Sequence, residues 1–494
     1  MYFEDLFDKT TKREYLFFKI LYLNEENHMK KIELCDSLKI TMPTLRSMIA
    51  RIQEEYVEDE KIKDYLKLEV SVDEVRLCIL KPINFEYLIS KILENSRIYI
   101  LLKYALKNKE EKSLVQLSND LMLSATTFGK ILVKCNKILA EFNLKMKYGM
   151  IIGDTKQIIY FAFQFFWFTS EYKPVNEALI FFLEKKYNME LNIIQKAQIS
   201  LLSHLIEQYY VCIKELKIDE SIYERLNDTK LYKDMYFFYR NKYLNWKEQS
   251  IIYVTLLTIV FFKGFSMLPF KIIKLYSFKE DSCLCIFDQL LTILNEVYDF
   301  EKLEDRTHLE ENIITTLYKL YVFDGLWYSV DEITLNYYFV SFNSKFNTSF
   351  ITALVDFLEN DLYFKNKKVH LKYLYEVLVV SLFPLKKKKE FSIKLGYICK
   401  ASPILSNAVS NKIAKKLEGK VNVIVESFRD DCEYDLVISD FSEEHLRQLS
   451  RCKNYNNYYR VTNLAINVDI KKLSTIVEKI EYDKYFSKAE RLFL

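Results

Sequence analysis

Few side chains in this sequence offer chemistry, and they are scattered. Three of the five histidines sit where a ring nitrogen could accept a phosphoryl group. They are His204 in Leu-Leu-Ser-His-Leu-Ile-Glu-Gln-Tyr-Tyr, His308 in Arg-Thr-His-Leu-Glu-Glu-Asn and His370 in Lys-Lys-Val-His-Leu-Lys-Tyr. Packing or capping is the plainer use of each ring. The nine cysteines are odd in number and include no CxxC pair, so zinc is not indicated and a reducing cytoplasm fits. Cys399 ends an expected strand just before an expected helix, a position that lowers a thiol pKa and suits an anion or phosphoryl group. The same position suits an oligomeric interface, or an ordinary small residue. No P-loop, HxExxH metal motif or nucleophile elbow occurs, so no catalytic set, metal or cofactor is expected.

Two other clusters offer recognition of a polyanion. Thr41, Thr44, Arg46, Ser47 and Arg51 lie in a stretch with no acidic residue between Ser37 and Gln53. Ser124, Thr126, Thr127, Lys130, Lys134 and Lys137 lie in a second stretch, where five lysines face one acid, Glu141, between Leu123 and Lys147. A net charge of +3 over 494 residues says nothing about nucleic acid by itself, whereas cations gathered locally do. Arg46 is the best candidate for reading guanine, because its fork matches O6 and N7. The lysines suit phosphates, which give affinity without sequence.

Both clusters belong to a repeat with an offset of 83 residues. Leu34, Leu38, Ile40, Thr41, Thr44, Leu45, Met48 and Ile52 match Leu117, Leu121, Leu123, Ser124, Thr127, Phe128, Ile131 and Cys135. Apolar residues at helical spacing predict three helices per copy: about 12–23, 29–38 and 42–56, then 96–107, 113–121 and 125–142. Each third helix starts at a hydroxyl residue, Thr41 or Ser124, and Pro43 fits a first turn. The short turn before it is a helix-turn-helix signature. An alternating segment follows each copy: 66–72 then 75–79, and 144–152 turning at Gly153-Asp154 into 157–159. Both read as hairpins, which makes each copy a winged helix. A solvated bundle would also carry lysines outside, but two matched copies with hairpins favour the winged helix.

The whole chain fits around these copies. Half of the residues are hydrophobic and 15% aromatic, with only 7 Gly and 6 Pro, which favours a large, mainly helical core over strand-rich or Rossmann-like folds. The length suggests three to five domains. Residues from about 160 to 385 read as helices in two modules, separated near 277–282 and ended by Lys386–Lys389. Beyond them, strands at 392–399, 421–428 and 435–439 alternate with helices at 403–417, 443–452 and 470–482, as in a small α/β sheet. The expected division is 1–83, 84–160, 161–281, 282–388 and 389–494. Met1 to Lys12 is charged and unlike a signal peptide, and Ile251–Phe262 is too short to span a bilayer, so a cytoplasmic location is expected.

The run Lys147-Tyr-Gly-Met-Ile-Ile-Gly-Asp-Thr-Lys-Gln-Ile-Ile-Tyr-Phe-Ala-Phe-Gln-Phe-Phe-Trp, placed after two helix-turn-helix units, resembles the Mga/AtxA family of virulence regulators of Gram-positive bacteria. The order of modules is similar over nearly the full chain. The resemblance implies two phosphotransferase-system regulation domains (PRDs) and a C-terminal sugar-transporter IIB-like domain. It implies binding of double-stranded DNA upstream of virulence or metabolic genes, dimers or larger homo-oligomers, and phosphocarrier proteins of the sugar phosphotransferase system as partners. Regulatory histidines would map to His204 and His308, with His370 a weaker candidate. Two departures stand out. Leu268–Ser277 holds no second histidine, and Cys399-Lys-Ala-Ser-Pro-Ile-Leu-Ser lacks the glycine of such phosphate loops, which favours oligomerisation over a phosphocysteine there. An RNA-binding antiterminator with the same regulatory modules, and a phosphoryl carrier built on the last module, are the alternatives.

Overall fold

The 83-residue repeat is realised in three dimensions down to its turns. A computed structural model of the chain describes residues 1, 3–24, 27–58, 62–81, 85–108, 110–169, 177–209, 227, 229–269, 287–288, 290–292, 295, 306–325, 327, 392–398, 403–417, 422–429, 431–444, 446, 455–461 and 467–493. They are mainly helical and fall into two compact units, one of residues 1–258 with 323–331 and one of residues 259–322 with 332–494. The expected boundaries near 277–282 and 386–389, together with His370 and Cys399, lie outside the described residues.

In the first copy α1 (Lys9–Leu23), α2 (Lys31–Leu38) and α3 (Met42–Ile52) form the triplet; in the second it is α5 (Arg97–Lys107), α6 (Leu114–Asp120) and α7 (Ala125–Ala140). The second and third helices of each triplet begin 83 residues apart. The apolar positions that match in sequence are the ones that pack: Leu34, Leu45, Met48 and Ile52 are buried, as are Leu117, Phe128, Ile131 and Cys135. The turns match as well. Lys39 and Met122, equivalent in the repeat, both take φ 52°. The next amide closes the same loop in each, from Ile40 to the Cys35 carbonyl at 2.9 Å and from Leu123 to the Ser118 carbonyl at 2.8 Å. This left-handed closure stops one helix and starts the next within four residues.

The copies differ at their caps. Ser124 accepts the Thr127 amide and caps α7, whereas Thr41 takes the N-cap position of α3 without capping it. The hydroxyl pairs are alike, Thr41 with Thr44 and Ser124 with Thr127, each at 2.9 Å, and Pro43 in the first turn of α3 has no amide for Thr41 to accept. A π-turn, Gln53–Val57, continues α3 where a longer α-helix is expected.

The hairpin after the first copy is β2 (Leu66–Val70) paired with β3 (Glu74–Ile79), and a short strand before α2, β1 (His28–Lys30), adds to β3. The second hairpin corrects the sequence expectation. Its strands are β4 (Lys145–Lys147) and β5 (Met150–Ile152), and its turn is Tyr148-Gly149, at φ 49° and 76°. Two positive φ values in a two-residue loop match the twist of the strands. Gly153 and Asp154 end the hairpin rather than turn it. The Asp154 carboxylate accepts the Lys156 and Gln157 amides and caps α8 (Thr155–Phe168), so 157–159 is helix and not strand.

Helix α4 (Phe85–Glu94) links the copies, burying Leu88, Ile92 and Leu93. Helix α8 is apolar on nearly every face from Ile158 onward and is buried accordingly, Gln157 and Gln164 included. Its Phe165 stacks on Tyr99 of α5 at 5.3 Å and its Phe161 meets Phe142 edge-on at 5.0 Å, so the aromatic helix is the floor of the second copy. Helices α9 (Ala178–Tyr187), α10 (Ile193–Gln208), α11 (Lys230–Lys242), α12 (Glu248–Gly264) and α13 (Arg306–Val322) follow. The C-terminal α/β part is a parallel sheet of order β7-β6-β8-β9, from β6 (Ile393–Ile398), β7 (Val423–Ser427), β8 (Leu436–Ser439) and β9 (Tyr458–Arg460). Helices α14 (Pro403–Leu417) and α15 (Asn467–Phe493) contribute Ile413, Leu417, Leu473 and Val477 to a core with Ile393, Leu395, Leu436 and Ile438. Strand β9, only three residues long, escapes the sequence pattern. Among the described residues no helix is long and apolar enough to cross a membrane.

Candidate nucleic-acid interface

Helix α3 divides cleanly. Leu45, Met48, Ile49 and Ile52 face the core, which leaves Thr41, Thr44, Arg46 and Ser47 exposed along the opposite side. Arg51 is placed differently. It is half-buried, and its guanidinium forms an ion pair with Glu14 of α1, with Nε donating to Oε1 at 2.6 Å. Glu14 is 1% exposed and also accepts the Tyr56 hydroxyl at 2.9 Å. Burial raises the Glu14 pKa above its ordinary value, against the opposing pull of Tyr56 and Arg51. Arg51 therefore ties α3 to α1, while Arg46 is left to project from the first copy.

Helix α7 buries Phe128, Ile131, Cys135, Ile138 and Leu139 and exposes Ser124, Thr126, Lys130, Lys134 and Lys137, with Thr127 half-buried at the edge. Burial pushes the Cys135 thiol up to about 12, so it acts as a small apolar core residue. Gly129 lies between the exposed positions, and a Cβ added there would meet no atom within 4 Å. Next to this face the second hairpin exposes Lys145 and Lys147. The result is a basic strip on an otherwise small-residue helix surface, a form that lets a helix approach a duplex closely. The first hairpin is less basic, since its Lys67 pairs with Glu69 at 3.1 Å.

The two copies also face each other across a cleft of about 800 Å³, lined by Asp8, Lys9, Glu14, Arg51, Glu55, Asn95, Arg97, Thr127, Lys130 and Lys134 among others. Lys130 and Lys134 are thus placed at both the exposed strip and the cleft. Sequence reasoning misses Lys9 and Arg97, because they precede the stripes that define the repeat. The cap Asp8, just ahead of a helical run, was the available signal for where α1 begins.

The remaining candidates sit elsewhere. His204 is exposed on α10, and His308 lies in the first turn of α13.

No curated protein matches the chain. Residues 82–166 match the family model described as the Mga helix-turn-helix domain, a span that runs from α4 through the second triplet and hairpin into α8. The resemblance to the Mga/AtxA regulators thus finds support in the part of the chain that carries the basic strip, and the protein contains the helix-turn-helix domain of a DNA-binding transcription regulator.

Proposed function

We propose that this protein is a transcription regulator that grips double-stranded DNA with two winged helix-turn-helix units, α3 reading from the first and α7 from the second. The observation that carries the reading is the matched pair of exposed helix faces behind identical left-handed turns, one of them flanked by a basic hairpin. Thr41, Thr44, Arg46 and Ser47 are the base-reading candidates of the first unit. Ser124, Thr126 and Thr127 serve the second, with Lys130, Lys134 and Lys137 on phosphates. Arg51 acts by holding α3. Few side chains here suit base edges, so DNA shape carries a large share of the specificity. In the same proposal residues 161–281 and 282–388 are PRD-like modules and 389–494 is a IIB-like module. Phosphorylation of His204 or His308, or of His370, by phosphocarrier proteins of the sugar phosphotransferase system shifts homo-oligomerisation and with it DNA affinity. An exposed imidazole at His204 is compatible with a phosphoryl donor.

The test is a binding isotherm on duplex DNA at several salt concentrations. Lys130→Gln with Lys134→Gln is expected to weaken binding and to make the log–log salt slope shallower by about two, at roughly 0.9 per phosphate contact. Unchanged affinity and slope would remove α7 from the interface. Hairpin RNA bound in preference to duplex DNA would move the protein to the antiterminator class.

A further inference from the structure

The cleft between the two copies holds charge that the fold itself does not use. Its three carboxylates are all engaged. Asp8 accepts the Thr10 amide at 2.9 Å and the Thr11 amide at 3.2 Å, and its second oxygen accepts the Arg97 amide at 3.3 Å, so one side chain caps α1 and α5 together. Glu14 is held by Arg51 and Tyr56. Glu55 accepts the Asn95 amide group at 3.3 Å. The Asp8 amide in turn donates to Ser96 Oγ, which donates to the Leu6 carbonyl at 2.7 Å, so the walls of the cleft are fixed to each other.

The cations are in the opposite situation. Lys9, Arg97, Lys130 and Lys134 all line the cleft and are exposed, and none has an ion-pair partner among the described residues. The lining carries five cations, these four and Arg51, against the three carboxylates, so it is net positive, and a ligand that supplies negative charge is drawn to it. A planar carboxylate would satisfy one guanidinium. A phosphate group, with several acceptor oxygens, can serve an arginine and lysines at once.

We propose that this inter-copy cleft is a phosphate-binding site, formed by Lys9 and Arg97 together with Lys130 and Lys134. The phosphate comes either from the backbone of bound DNA passing between the two copies or from a free phosphorylated small molecule. The DNA source rests on the function proposed above; the free source does not.

The full chain is compared with Lys9→Gln/Arg97→Gln, with the charge-keeping Lys9→Arg/Arg97→Lys, and with Lys415→Gln/Lys416→Gln on α14 as a charge-matched control. Circular dichroism and the unliganded melting midpoint verify folding, which both exposed positions should preserve. Two readouts are taken: the salt slope on a mixed-sequence duplex long enough to span both copies, and the melting midpoint with and without inorganic pyrophosphate. If DNA supplies the phosphates, the Gln pair makes the slope shallower by about two, while the Arg/Lys pair and the control keep the wild-type slope. If a free ligand supplies them, the slope stays, and pyrophosphate raises the midpoint of wild type and of the charge-keeping pair but not of the Gln pair. An unchanged slope together with no pyrophosphate effect on wild type, or an equal effect on the Gln pair, overturns the site. Should wild type bind no duplex at all, the proposed function fails, and the pyrophosphate arm alone decides the cleft.

Discussion

Arg51 stands at the border of the α3 face, and its chemistry is decided by what lies behind it. Glu14 is buried, and its folded pKa lies above the ordinary carboxylate value. A group with a raised pKa contributes stability that is present in acid and lost as pH rises through the folded value, because the charged form is the one the interior disfavours. Arg51 limits that loss by pairing with the charge as it forms. Arg51→Met should therefore destabilise the protein at neutral pH by about 1–3 kcal/mol, less than for a fully buried pair because part of Arg51 stays in water. The penalty should shrink as pH falls through the raised Glu14 pKa and the carboxylate takes up its proton, and Glu14→Gln in the same chain should recover most of it. Urea unfolding on either side of that pKa measures this. A loss that does not vary with pH would mean that packing of the Arg51 stem, and not the ion pair, holds α3. No change in stability, coupled with a shallower DNA salt slope, would make Arg51 a phosphate ligand after all.

At the scale of elements, the turns between the second and third helices show what low glycine content conceals. Lys39 and Met122 adopt a backbone region that costs an L-residue about 1–2 kcal/mol, since Cβ crowds the carbonyl. Glycine escapes that cost while giving up backbone entropy, so Met122→Gly, at a position 94% exposed and without packing to lose, should stabilise the second copy by about 0.5–1 kcal/mol. Lys39→Gly should do the same in the first copy. A melting midpoint that falls in both variants would show that the turn is not strained as its φ values imply. The same scarcity explains which parts of the fold were legible. The apolar stripes of both triplets stand out in the sequence because their spacing repeats, and so do the basic positions on their far sides. The second hairpin does not: the alternating pattern puts its turn at Gly153-Asp154, whereas the strands turn at Tyr148-Gly149 and Asp154 caps the helix that follows. Strand β1 and helix α4 also escape, one too short for a pattern and the other lacking a counterpart in the repeat.

At the scale of the molecule, the helix-turn-helix region is completed by a segment far along the chain, which no local pattern announces. Phe323 stacks on Tyr160 of α8 at 4.0 Å, and the Tyr160 hydroxyl donates to the Gly325 carbonyl at 3.0 Å. Asn143, just past α7, donates to Asp324 at 2.8 Å across 181 residues of sequence, and the Trp327 amide donates to Gln164 at 3.2 Å. Gly325 sits at the tightest point, with φ 75° and with a Cβ, were one present, 2.7 Å from the Glu141 carbonyl and the Phe142 ring. This segment follows α13, the helix that carries His308, directly in sequence. Anything that displaces it withdraws support from the C-terminal end of α7, and the proposed regulation needs a link of that kind. Gly325→Ala should destabilise the protein by roughly 2–4 kcal/mol, combining left-handed strain with overpacking. Gly129→Ala is the matched control: helical, unobstructed, and expected to stabilise by about 0.5–1 kcal/mol. Hydrogen exchange should locate the difference. In Gly325→Ala the amides of Phe142 and Leu144, both bonded to the Leu139 carbonyl, should exchange faster, while that of Leu45 in the first copy should be unaffected. Uniform loss of protection in both copies would instead mark residues 323–327 as general core and leave them no part in a local link to α7.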